Sequence, residues 1–104
     1  MAYVDLDIAR RHCQEIRDRV VGHPGGVRDD RALQKVQQSC RAATSAVGDR
    51  ECRERAGAVE DYACELFIGA DHLKSEMLRE LDALIARLAA LESLRAAVAQ
   101  HRAA

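Results

Sequence analysis

The stretch Cys52–Ala99, CRERAGAVEDYACELFIGADHLKSEMLRELDALIARLAALESLRAAVA, decides how this chain folds. Stepped at about 100° per residue, its apolar positions Cys52, Ala56, Val59, Ala63, Leu66, Phe67, Ala70, Met77, Leu81, Leu84, Leu88 and Leu91 stay on one side of a helix. The stretch contains no proline. Its one candidate break is Gly69-Ala70-Asp71, because a glycine can end a helix and an aspartate can start the next. The stripe holds the same phase on both sides of Gly69, however, and glycine inside a helix costs only about 1 kcal/mol relative to alanine. The reading therefore favours one long or mildly kinked helix from residue 50 to about residue 100.

Two shorter helices precede it. Asp5 or Asp7 can cap a first helix over about 5–21, with Val4, Ile8, Ala9, His12, Ile16 and Val20 on its apolar face. Gly22 and the following His23-Pro24-Gly25-Gly26 end it. Asp29 or Asp30 can cap a second helix over about 30–47, carrying Leu33, Val36, Cys40, Ala43, Thr44 and Val47 on one face and stopped near Gly48-Asp49. A hairpin centred on Gly25-Gly26 makes residues face each other when their numbers sum to about 51.

The lengths do not match. At 1.5 Å per residue the third helix would span about 75 Å, against about 25 to 30 Å for each of the first two. Its C-terminal half would then lie uncovered, and Met77, Leu81, Leu84, Ile85, Leu88 and Leu91 are expected to pack against a second copy of the chain. The expected fold class is all-α, with residues 1–104 forming a single domain: a helical hairpin followed by a long C-terminal helix, kinked or broken near Gly69, in an oligomeric bundle. The alternative is a fourth helix that turns at Gly69 and packs back on the other three.

Composition narrows function more by exclusion than by naming an activity. The chain has 104 residues, and a formal net charge of -1 arises from 16 basic and 17 acidic side chains that are interspersed along it. Without a basic face there is no footprint for nucleic acid. No run of 18 apolar residues is present, so no membrane span is expected. Acids and paired arginines in Met1–Arg11 replace the apolar core of a signal peptide, which leaves the cytoplasm as the default compartment. The excess of arginine over lysine (only Lys35 and Lys74) and the abundant alanine suggest a GC-rich bacterial genome. Aromatic residues make up 3%, so the core relies on aliphatic residues and alanine, and a second chain would help to fill it.

Candidate chemistry gathers at His12, Cys13 and Cys40. The hairpin register sets Cys40 opposite positions 11 to 13, and thiolate with imidazole is a ligand set for zinc or copper. His12 and Cys13 are adjacent, however, and point about 100° apart on a helix, which makes it awkward for both to reach one ion. Cys13, Cys40, Cys52 and Cys64 stand 27, 12 and 12 residues apart and match no CxxC pattern. The facing arithmetic around Gly48-Asp49 sets Cys40 and Cys52 out of register for a disulfide. Asp61, Glu65, His72 and Glu76 share a polar face that reads as solvated helix surface. Phosphate loops, G-x-S-x-G and H-E-x-x-H are absent from the sequence.

Two function classes follow as expectations. The first is a non-enzymatic oligomerisation or protein-interaction module, a homodimer in the simplest case, with a partner's helix as a second option and no cofactor. The second is a metal- or thiol-dependent protein using His12, Cys13 and Cys40.

Overall fold

The computed structural model describes residues 5–103, and among these the chain is built from helices and short connections. They are α1 (Leu6–Gly22), α2 (Asp30–Ala46), α3 (Arg50–Leu66) and α4 (Lys74–Ala103), with a short 3-10 turn, Asp71–Leu73, leading into α4. The all-helical reading holds, and the first two helices lie within a residue of their expected bounds. Val4, assigned above to the first apolar face, lies outside the described residues.

Three aspartates start three helices. Asp5, Asp29 and Asp49 each stand in a non-helical conformation and accept from a backbone N–H three residues on, that of Ile8, Ala32 and Cys52, at 3.0, 3.0 and 3.1 Å. Each carboxylate satisfies a donor that the first turn leaves orphaned, and its charge suits the positive end of the helix. At the other end of α1, His23 precedes Pro24 and takes an extended conformation (ψ 125°), as steric contact with the proline ring requires.

The long third helix does not form. Ala70 N–H donates to the Glu65 carbonyl at 3.0 Å and Gly69 N–H donates to the Leu66 carbonyl at 3.1 Å. This pair of nested bonds is the Schellman pattern, and it requires positive φ at the residue that Gly69 occupies, here φ +121°. Only glycine takes that conformation without strain. The chain reverses over Gly69–Leu73, and α4 returns along the bundle.

The four helices form a ring in which α1 packs against α2 and α4, and α3 against α2 and α4, while neither diagonal pair meets closely. Neighbours run antiparallel. Asp5 N–H donates to the Ala46 carbonyl, tying the start of α1 to the end of α2 in the register expected for that hairpin. Arg17 with Asp82 and Arg10 with Glu92 tie α1 to α4, and Arg55 with Glu80 and Asp49 with Arg87 tie α3 to α4.

Reversal at Gly69 changes what covers the leucine stripe. Met77, Leu81, Leu84 and Leu88 are 0 to 2% exposed within this single chain. Met77 and Leu81 join a layer with Ile16, Val20, Val36, Val59, Leu66 and Phe67, while Leu84 and Leu88 join a second layer with Leu6, Cys13, Val47 and Cys52. Ile85 and Leu91 are half-buried against that second layer. Met77, Leu81, Leu84 and Leu88, expected to face a second copy, are instead covered by the other helices of the same chain, while Ile85 and Leu91 keep partial exposure. Equal phase on the two sides of Gly69 records that α3 and α4 both have an apolar face, not that they are one helix.

Candidate functional site

Helix lengths create the feature that stands apart from this closed core. Seventeen residues reach about 25 Å and thirty reach about 45 Å, so α4 outruns its neighbours in a molecule 55 Å long and 22 by 20 Å across. Arg10 Nη1 lies 2.6 Å from Glu92 Oε2, an ion pair between α1 and α4 at the base of the projecting turns. The Asp49–Arg87 pair sets the start of α3 level with Arg87. Beyond Leu91, every residue from Glu92 to His101 is exposed, including Leu94 (57%) and Val98 (50%). These two lie four residues apart, on the edge of the buried stripe that faces α3 lower down, and no α3 turn remains to cover them. On the other flank, Asp5, Leu6 and Asp7 at the start of α1 and Glu92, Arg95 and Ala99 border a shallow groove.

The proposed ligand residues take structural positions. Cys13 and Cys40 are both buried, and His12 is half-buried with its Nδ1 3.4 Å from Glu15 Oε2 on its own helix. Among the described residues, no three His, Cys, Asp or Glu side chains are grouped so as to hold a metal ion. The physical obstacle is the angle between neighbouring helical side chains: with Cys13 in the core, His12 turns toward the rim.

All four cysteines are free thiols. Burial pushes the Cys13 thiol up to about 11 and the Cys40 thiol to about 12, the latter aided by the Glu60 carboxylate. Burial, reinforced by Asp49, likewise pushes Cys52 to about 12. Thiolate is the reactive form, so these three groups are chemically quiet. Cys64 differs: it is exposed on α3, and Gln37 Nε2 donates to its sulfur at 3.7 Å.

The polar groups between α3 and α4 are charge-paired. Arg87 donates through Nε and Nη2 to both oxygens of Asp49 at 3.1 and 3.0 Å, and its Nε lies 3.2 Å from Glu51. The Arg87 guanidinium holds the Asp49 carboxyl down at about 2, and the carboxylates in turn raise Arg87. Asp49 thus both caps α3 and clamps α4. Sequence reasoning misses this clamp because its partners stand 38 residues apart; the one local signal is a basic residue flanking the leucines of α4.

His23 carries more of the fold than a plain loop residue would. Its ring is buried at 6% exposure, edge-on to Phe67 at a centroid distance of 4.7 Å, and its Nε2 has no hydrogen-bond partner. The Lys74 ammonium donates to the Val21 and His23 carbonyls at 3.1 and 3.0 Å, and Asp29 N–H donates to the Phe67 carbonyl at 2.7 Å. These bonds stitch the first and third connections together, so the His23–Gly26 loop serves the fold. Asp61 and Glu65 on α3, His72 in the 3-10 turn and Glu76 on α4 are all exposed, and the turn at Gly69 separates them onto two helices.

Protein-family models, curated proteins and solved structures gave no match to this chain. Fold and site together define a small all-helical protein in which no described helix is long and apolar enough to cross a membrane.

Proposed function

We propose that this chain is a non-enzymatic assembly module that self-associates through the projecting turns of α4. The observation that carries the reading is the exposure of Leu94 and Val98 on a helix that extends past its own bundle. A monomer gains nothing from three further turns of helix in water, where helix propensity alone gives marginal stability. Packing against a second helix would supply the missing burial. The function first expected of the whole C-terminal stripe is thus reassigned from Met77–Leu91, which the core consumes, to the surface beyond Leu91.

Three turns on each of two copies bury on the order of 800 Å², at the low end of specific interfaces, so a weak, concentration-dependent dimer is expected. Sedimentation equilibrium tests this over a protein range reaching about 200 µM. The expected result is a mass rising from 11.5 kDa toward twice that value, with Leu94→Glu and Val98→Glu returning it to the monomer. A wild-type mass of 11.5 kDa across the whole range would overturn the reading.

A further inference from the structure

Resting on that reading, we infer that the two copies join as an antiparallel two-fold pair in which each α4 tip occupies the place a longer α3 would fill in the other. Two observations converge on this geometry.

The first is the position of the uncovered face. Leu94 and Val98 continue the side of α4 that meets α3 lower in the bundle, and α3 begins level with Arg87, so among the described residues the open space lies in line with the α3 axis. A helix seated there extends the existing packing of α3 on α4.

Direction is the second. α3 runs antiparallel to α4 and presents its N-terminus to the open space. A partner helix antiparallel to α4 brings its C-terminus toward that N-terminus, so the two helix dipoles align head to tail. A parallel partner would oppose them.

With the two-fold axis near Ala96, Leu94 of one copy packs beside Val98 of the other, and the contact is isologous and closed.

Disulfide trapping distinguishes the arrangements. Leu94→Cys and Val98→Cys are made separately in a Cys64→Ser background, which removes the exposed native thiol. Equal amounts are mixed and oxidised with copper-phenanthroline, and the products are separated by mass. Antiparallel seating makes the mixed dimer, which joins one Leu94→Cys chain to one Val98→Cys chain, exceed the two symmetric dimers together, whereas random collision gives equal amounts. Dominant symmetric dimers, or no excess of the mixed one, would overturn the antiparallel geometry while wild-type sedimentation still shows a dimer. A monomeric wild type would overturn both the geometry and the assembly reading. Both altered positions are exposed, so folding is preserved, and circular dichroism of each variant verifies this.

Discussion

Gly69→Ala puts the turn that closes the bundle to a direct test. Gly69 sits at φ +121°, and the nearest heavy atom to an added Cβ would be the Gly26 carbonyl oxygen at 4.0 Å. The new methyl meets no clash, so the whole penalty comes from the backbone. A non-glycine residue in that region costs about 1 to 3 kcal/mol. The same methyl would favour a continuous α3–α4 helix by about 1 kcal/mol. The balance between turn and straight helix therefore moves by about 3 kcal/mol. That is less than the roughly 8 kcal/mol gained by burying Met77, Leu81, Leu84 and Leu88, at about 2 kcal/mol each, so the closed monomer survives but is weakened. Urea unfolding is expected to show a loss of about 2 kcal/mol, with a melting temperature about 10 °C lower. At high concentration a new dimer is expected, in which straightened helices exchange α4 between copies at unchanged burial. Gly57→Ala is the matched control, since Gly57 lies inside α3 with no heavy atom within 4 Å of an added Cβ. The same chemical change there should stabilise by about 0.5 to 1 kcal/mol. Equal stability of Gly69→Ala and wild type would refute the assignment of the turn to glycine's backbone.

Other expectations follow from the core and the clamp. Leu84→Asp places an unpaired carboxylate at a site 2% exposed and should cost more than about 4 kcal/mol, read as loss of the cooperative melting transition by circular dichroism. Asp49 titrates lower in the folded chain, at about 2 against an ordinary 3.8, so its stabilisation is complete above about pH 5 and fades as pH falls toward 2. Asp49 is partly solvated, and after allowance for screening its share is about 1 to 2 kcal/mol. Denaturant midpoints from pH 6 to pH 2 should fall less steeply for Asp49→Asn, and parallel curves would remove the clamp. Ellman's reagent at pH 8 should modify one thiol quickly, Cys64, and the remaining three only in denaturant, because Cys13, Cys40 and Cys52 are buried and protonated. Fast reaction of more than one thiol in the native protein would contradict their burial.

Much of this architecture is written locally along the chain. Asp5, Asp29 and Asp49 announce helix starts, His23-Pro24-Gly25-Gly26 announces an end, and the spacing of Ile16, Val36, Val59 and Leu84 marks the inward faces. These features depend on residues within a turn or two of each other, so reading them needs no knowledge of distant neighbours. The candidate site is legible only in part. Periodicity marks the C-terminal helix as the one carrying surplus apolar surface, but it counts Met77, Leu81, Leu84 and Leu88 in the surplus when they belong to the core.

Tertiary structure decided the rest. Gly69 can sit in a helix at a cost of about 1 kcal/mol or end one at little cost, and this small local difference is outweighed by the burial of four large side chains. Only packing against α1 and α3 supplies that burial. Likewise the Asp49–Arg87 clamp, the Lys74 stitch to the His23 carbonyl and the protonated state of three thiols all require groups distant in sequence to meet. Periodicity determined which side of each helix avoids water; the reversal at Gly69 determined what covers that side, and among the described residues it left Leu94 and Val98 on the last turns of α4 exposed.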